Sequence, residues 1–483
     1  MNYDSLNYEY ISKKVKGMFF GREKELKTLN SLYESNQFEF IVIYGRRRIG
    51  KTSLINEFCK GKDTVFFSAL RSTATENLKA FSQAVFLYEN RESDDELSTS
   101  ATFNSFEDAF DRIGRICEKK RTVVVMDEYP YLAGSDESIS SRLQHLIDHK
   151  WSKGRMFLIL CGSSMSFMEE QVLGYESPIY GRRTAQMKIE AQDYRESAAF
   201  NEKLTSVQKA VIYGITGGIP HYINKLNVKT DIDKALIDNF FNTSSYLYEE
   251  PENLLKQELR EPSVYNSVLT AIAGGASKLN EISTRTRLEN SSCVKYLNVL
   301  MKLDLIKKET PYETKEGKKS IYKLKDNFFN FWYRFIPENK ALIESGNFER
   351  TYRQRVKAFI NEYMGRIFED MCKDYLMRYY SCDDIIPVSV GEWWGTDPVE
   401  KKEVQIDIVA ELVAPNEYII GSCKFRNEKT GLDELDLLKR YSVIFGKGER
   451  YHFFIFSKSG FTKQLEAAAG EQGVKLITIE DMY

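Results

Sequence analysis

The sequence predicts a multidomain α/β fold, and three stretches predict it. The first is the β-rich apolar run Phe38-Glu39-Phe40-Ile41-Val42-Ile43. It passes through Tyr44-Gly45-Arg46-Arg47-Arg48-Ile49-Gly50-Lys51-Thr52-Ser53 into Leu54-Ile55-Asn56-Glu57-Phe58, whose apolar positions fit one helical face. The second is Thr122-Val123-Val124-Val125-Met126-Asp127-Glu128, a buried strand pattern ending in two carboxylates. The third is the end of the chain, where strand patterns at 453–456 and 474–478 enclose a helical pattern at 461–469.

Strand, glycine-bounded loop and helix stand in the order that a phosphate-binding P-loop requires. Gly45 and Gly50 let the backbone wrap a pyrophosphate without a Cβ in the way. The first N–H groups of the helix, with its dipole, favour the anion. Lys51 is placed to reach β- and γ-phosphates, and Thr52 to offer its hydroxyl to Mg²⁺. The expected nucleotide-binding residues of this loop are Gly45, Arg46, Arg48, Ile49, Gly50, Lys51, Thr52 and Ser53. Asp127 is expected to hold Mg²⁺ through water, and Glu128 to polarise the attacking water. The cofactors so implied are ATP and Mg²⁺.

With 483 residues the chain exceeds one typical core, and two to four domains are expected. Hydrophobic residues at 42% and charged residues at 29% suit a folded chain and exclude a disordered one. Sixty-eight basic against seventy acidic residues leave a net charge of −2, which excludes a globally basic nucleic-acid coat but not a local basic patch. Seven cysteines without a C-x-x-C pair, and only four histidines, indicate neither a zinc site nor a disulfide framework. The polar, aromatic stretch 1–16 lacks the apolar core of a signal peptide. No stretch approaches the ~18 apolar residues of a membrane helix. A reduced, cytoplasmic protein with no membrane partner is expected.

Phe19-Phe20-Gly21-Arg22-Glu23-Lys24-Glu25-Leu26 precedes the loop strand, and Leu26, Leu29 and Leu32 follow at helical spacing. This resembles the F-x-G-R-x-x-E-L box of AAA+ and STAND-type ATPases. The resemblance implies that Phe20, Gly21 and Arg22 pack around the adenine. Thr64-Val65-Phe66-Phe67-Ser68 reads as a second strand, 90–100 as a loop and 106–119 as a helix. A glutamate directly after the Walker B aspartate points to the ATPase branch that carries an extra central strand. His145 and His149 lie at i,i+4 on a predicted helix, with no third ligand, and read as a solvated face. Met156-Phe157-Leu158-Ile159-Leu160-Cys161 is a further buried strand, followed by Gly162-Ser163-Ser164. In this class Ser163 or Ser164, with Ser163 favoured, would sense the γ-phosphate. Tyr180-Gly181-Arg182-Arg183 precedes a strand at 186–190, so Arg182 or Arg183 could bring a guanidinium to a γ-phosphate, in cis or on a neighbouring subunit.

These stretches, with Gly217-Gly218-Ile219-Pro220-His221-Tyr222 after them, occur in an order that resembles the archaeal-type ATPases of prokaryotes, P-loop proteins related to the AAA+ and STAND groups. The resemblance covers roughly the first half of the chain. It implies ATP binding, ATP hydrolysis, and a helical lid whose Pro220 and Tyr222 face the nucleotide. The expected division is a P-loop ATPase core at 1–195, a helical lid at 196–255, a winged helix at 256–335, a connector at 336–357 and a last domain at 358–483.

An acidic, proline-marked stretch at 250–262 suggests a hinge. Val264, Val268, Leu269 and Ile272 form a helical stripe, 279–284 begins a second helix, and Ser291-Ser292 caps a third. Wing strands are expected at 303–308 and 320–324, with Gly317-Lys318-Lys319 at the tip. Lys295, Lys302, Lys307, Lys308, Lys318 and Lys319 make this module locally basic, which suits phosphate contact; packing or a protein partner is the other reading. Lys295 and Asn298 face a groove but no arginine does, so sequence-specific readout is poorly supported.

From about Ala358 the pattern resembles the restriction-endonuclease-like fold and the domain of unknown function that follows such ATPases. Its active centre sets an aspartate against Glu-x-Lys on the next strand, as metal ligands and a water-orienting lysine. Here Asp407 and Lys424 are present, but Ser422 stands at the second carboxylate and Gln405 where a further glutamate would help. Glu369 could contribute from the preceding helix, which leaves Glu369, Asp407 and Lys424 as a vestigial site. The function expected is an ATPase switch or motor, with DNA reached through the winged helix and C-terminal domain. The alternatives are an ATP-gated Mg²⁺-dependent nuclease and a non-hydrolysing adaptor for a protein partner; a homo-oligomer is compatible with each.

Overall fold

The computed structural model describes residues 19–91, 101–312, 320–382 and 384–483. It divides into two compact units between Glu190 and Ala191. No helix among the described residues is long and apolar enough to cross a membrane.

The first unit is built on five parallel strands: β1 (Glu39–Tyr44), β2 (Thr64–Ser68), β3 (Val123–Asp127), β4 (Phe157–Gly162) and β5 (Ala185–Lys188). Their spatial order is β2-β3-β4-β1-β5. Every residue of β1, β3 and β4 is buried, as expected of parallel strands covered by helices on both faces. Alternate residues feed two cores. Phe40, Val42, Val124, Met126, Leu158 and Leu160 point to one face, and Ile41, Ile43, Val123, Val125, Phe157 and Ile159 to the other. The extra central strand expected from Glu128 is β4, which runs between β1 and β3. Its presence brings the carboxyl ends of all three strands side by side.

The second unit opens with helices Tyr194–Ala198, Ser206–Thr216, Pro220–Leu226, Ile232–Phe240 and Tyr246–Glu258. Three further helices, Pro262–Ala273, Leu279–Thr286 and Asn290–Lys302, lead into an antiparallel hairpin of β6 (Ile306–Glu309) and β7 (Ile321–Leu324). After the aromatic helix Asn327–Phe335 and the long helix Ile360–Arg378 comes a mixed sheet, β8 (Pro387–Thr396), β9 (Glu403–Leu412), β10 (Glu417–Lys424), β11 (Arg450–Ser457) and β12 (Lys475–Thr478). Strands β8, β9 and β10 are antiparallel, and β10, β11 and β12 parallel.

Several expectations need correcting. The hinge at 250–262 is largely the helix Tyr246–Glu258, which carries Pro251 inside it. Composition misleads there because Glu250 is 1% exposed. Burial first, and then Asp326, push its carboxyl up to about 8, so it enters the core protonated, with the Tyr222 hydroxyl 3.2 Å from Oε1. The polar connector holds two helices, Lys340–Glu344 and Phe348–Arg355, anchored by buried Ile343 and Tyr352. The third helix of the module begins at Asn290, ahead of the serine pair. Strand β6 starts only at Ile306, because Asp304 (φ 59°) makes the turn out of that helix. The tip Gly317-Lys318-Lys319, and most of the 90–100 loop, lie outside the described residues.

Glu250 has a consequence for stability. Between its ordinary value near 4.5 and about 8 the folded state holds a proton that the unfolded state releases, so stability falls as pH rises through that window. Thermal melts of wild type and Glu250→Gln are expected to converge near pH ~5, with the variant gaining relative stability toward pH ~8.

Candidate nucleotide site

The P-loop is shaped by three residues at positive φ, Gly45 (155°), Arg48 (70°) and Gly50 (96°). Gly45 is required sterically, since a Cβ there would lie 2.3 Å from the Ile189 carbonyl oxygen. Lys51 opens the helix Lys51–Cys59, and its side chain is buried. Its Nζ donates to the carbonyls of Gly45 (2.9 Å) and Arg46 (2.8 Å). Burial holds this ammonium below the ordinary lysine range, against the opposing pull of Cys161, Glu128 and Asp127.

The tip of β3 supplies the acids. Thr52 Oγ1 donates to Asp127 Oδ2 at 2.9 Å, so a hydroxyl and a carboxylate oxygen stand together as hard donors beside the loop. Asp127 Oδ1 accepts the N–H of Glu128 at 2.9 Å, which fixes the carboxylate plane. Glu128 sits at φ 51°, left-handed for a non-glycine residue, immediately before the helix Tyr129–Ser135. That conformation costs about 1–3 kcal/mol and aims the side chain across the strand ends. Ser163, just past β4, donates to both Glu128 oxygens, at 2.8 and 3.0 Å. Ser164 instead begins the next short helix, its carbonyl accepting from Met168. Cys161 lies fully buried in the same cluster, and burial, then Asp127, push its thiol well above the ordinary range.

Arg22 is also buried and left-handed at φ 67°. Its guanidinium donates to the carbonyls of Ile49 (3.4 Å) and Glu190 and pairs with Glu25 at 3.2 Å. It thus ties the segment carrying half-buried Phe20 and Gly21 to the back of the P-loop. Arg46 and Arg48 are half-buried, Ile49 is buried, and Ser53 faces outward beside Thr52. One neighbour escaped sequence reasoning. Arg47 Nη2 donates to Tyr131 Oη at 2.7 Å, joining the P-loop to the helix that follows Glu128. Tyr131 sits only three residues beyond Glu128, but nothing in sequence pairs it with a loop 84 positions earlier.

Arg182 is not among these groups. It makes a forked pair with Asp148 (2.7 and 2.8 Å) and donates to the carbonyls of Pro178 and Tyr180, both at 3.0 Å. Arg183 lies 5.8 Å from the centre of the Tyr180 ring. In the second unit, Pro220 starts its helix, and the Tyr222 ring is wholly enclosed, stacked on Phe328 with centroids 3.9 Å apart.

The second unit gathers the C-terminal residues as well. Asp407 accepts from the N–H of Cys423 (2.9 Å) and from Ser422 Oγ (3.3 Å). Glu434, at the start of the helix Leu432–Phe445, accepts from the same hydroxyl at 2.7 Å and pairs with Lys424 at 3.1 Å. Lys424 reaches Asp407 at 3.7 Å. The carboxylate missing at Ser422 is therefore present from Glu434, and the pair Asp433-Glu434 soon after a strand was the only signal. Burial first, then Asp407 and Glu392, push Glu369 up to about 8. Among the described residues no three His, Cys, Asp or Glu side chains form a group suited to a metal ion. Lys424 already sits where a cation would, and these residues do not fit a resident metal.

Residues 19–226 match a family described as an ATPase domain predominantly from Archaea, and residues 332–435 match one of archaeal and bacterial proteins of unknown function. An uncharacterized protein of Methanocaldococcus jannaschii is 32% identical over 436 residues, spanning 89% of this chain and 92% of its own length. An uncharacterized ATP-binding protein of the same organism is 44% identical over 45 residues, 9% of this chain and 76% of that one. Among solved structures, the Walker-type ATPase of Pyrococcus abyssi superposes with a TM-score of 0.52 at 19% identity, covering 65% of this chain and 96% of that one. The fold of that structure and the length of the first alignment agree: the chain belongs to the archaeal-type ATPase family, with the ATPase domain in its first half and the domain of unknown function toward its end.

Proposed function

We propose that this chain binds ATP with Mg²⁺, hydrolyses it, and acts as a nucleotide-dependent switch on nucleic acid. The observation that carries the reading is the pair of contacts Thr52–Asp127 and Ser163–Glu128, which join the first turn of the P-loop helix and the end of β4 to the end of β3. Thr52 and Asp127 would hold the Mg²⁺, which neutralises charge between β- and γ-phosphates. Lys51 would exchange its two carbonyl partners for phosphate oxygens, an exchange that its burial favours. Glu128, released from Ser163, would orient the attacking water and accept its proton, while Ser163 turns to the γ-phosphate oxygens. Phe20, Gly21 and Arg22 would border the adenine. Arg183, less committed than Arg182, is the better finger.

The three helices followed by a two-stranded hairpin support the winged-helix reading, in which exposed Lys295 and Asn298 meet phosphates. The C-terminal sheet we read as a degenerate restriction-endonuclease-like domain used for binding, since Lys424 is paired with both Asp407 and Glu434. Mg²⁺-dependent phosphate release by the intact chain tests the first half. Stoichiometric ATP binding with no release would favour the adaptor instead. For the second half, Lys295→Ala is expected to weaken binding to unrelated duplexes equally, by about one unit of the log–log salt slope.

A further inference from the structure

The hairpin places two lysines directly opposite one another. In the register of β6 and β7, Lys307 faces Lys323, an arrangement that repels unless an anion lies between them. Glu309 supplies part of that anion, at 2.6 Å from Lys307 and 2.7 Å from Lys323. The rest comes from the C-terminal domain. Asp370, on the helix Ile360–Arg378, pairs with Lys307 at 3.1 Å, and Glu392, on β8, pairs with Lys323 at 2.8 Å. Lys373 closes the network against Glu392 at 2.6 Å. The side chains of Lys323 and Glu392 are only 12% and 6% exposed. The N–H of Tyr312, just past β6, donates to the Glu392 carbonyl at 2.8 Å, and the Tyr312 hydroxyl bonds Ser389. Beside the network lies a 330 Å³ cavity lined also by Arg366 and by the pair Arg334–Glu362.

We propose that this network is an autoinhibitory contact, in which Asp370 and Glu392 hold Lys307 and Lys323 as nucleic-acid phosphates would. A duplex must then displace two carboxylates before the hairpin can grip its backbone. The inference rests on the nucleic-acid reading of the winged helix given above. Two lysines paired across a ladder concentrate positive charge that suits an anion, and here that charge is met from within the chain. Carboxylate and phosphate compete for the same ammonium groups, so apparent affinity scales with the fraction of hairpins released.

The experiment compares intact wild type, Asp370→Asn and Glu392→Gln. It measures anisotropy of a fluorescein-labelled DNA duplex across salt concentrations, and acylation of individual lysines by mass spectrometry. Asp370 is half exposed, so its variant keeps the fold even if Glu392→Gln, which leaves largely buried Lys323 with Glu309 alone and Lys373 with Asp370 alone, unfolds. The expected result is binding tightened by about fivefold at low salt, a log–log slope steeper by about one unit per freed lysine, and greater acylation of Lys307. Unchanged affinity and slope, with Lys295→Ala still weakening binding, overturns the autoinhibition alone. If no variant binds duplex and Lys295→Ala changes nothing, the nucleic-acid reading falls, and the autoinhibition with it.

Discussion

Replacing Lys51 with alanine is expected to abolish ATP turnover and to weaken ATP binding by at least about a hundredfold. The ammonium is the buried cation that the loop itself encloses, and desolvation makes it costly to keep without an anion. In the structure it is satisfied by two carbonyl oxygens, each carrying only a partial charge. A triphosphate would offer full charges instead, so the burial that penalises the free lysine would strengthen its bond to phosphate. Alanine removes that gain and leaves the Gly45 and Arg46 carbonyls facing anionic oxygens. Lost fold stability is the competing cause, because Lys51 and Gly45 are both buried. Equilibrium binding of a fluorescent ATP analogue, read beside a melt of the unliganded variant, separates the two. Retained affinity within about threefold would remove Lys51 from the phosphate site.

The second large effect is at Glu128. Glu128→Gln is expected to keep ATP affinity and lower the hydrolysis rate by about 10²–10⁴-fold. Glutamine preserves the shape and still accepts from Ser163 through its carbonyl oxygen, but it has no carboxylate to take a proton from water. The left-handed backbone at this position is retained, so the side chain keeps its aim. Rate loss without affinity loss is the signature of a group that acts only in the transition state. Equal losses in both would instead make Glu128 a binding or structural residue.

The parts of this molecule that were legible from sequence are those whose neighbours in space are also neighbours in the chain. The P-loop, from Gly45 to Thr52, declares its strand, turn and helix within one continuous stretch, and Asp127-Glu128 ends an unmistakable buried strand. Even the central position of β4 followed from one residue, Glu128. Pairings across the fold were not legible. Arg47 meets Tyr131, Glu434 meets Ser422, and Lys323 meets Glu392 only because separate elements pack, and no periodicity marks such partners. Burial also hid charge. Glu250 looked like part of an acidic hinge because its composition is that of a solvated segment, whereas a protonated glutamate sits within a helix as an uncharged side chain. The helices within 340–355 show no clear apolar face in sequence because Leu342 and Phe348 stay exposed while Ile343 and Tyr352 are buried. Tyr222 was expected at the nucleotide from its place in a motif, and the structure encloses its ring against Phe328.

Single-turnover hydrolysis of Mg²⁺-ATP by the intact chain, wild type against Glu128→Gln, tests the central claim most directly. The arrangement of Thr52, Asp127, Glu128 and Ser163 predicts that wild type converts bound ATP to ADP and phosphate, while the variant binds ATP and leaves it intact over the same interval. Conversion at the same rate in both would contradict the assignment of Glu128. Binding without conversion in wild type would contradict hydrolysis itself.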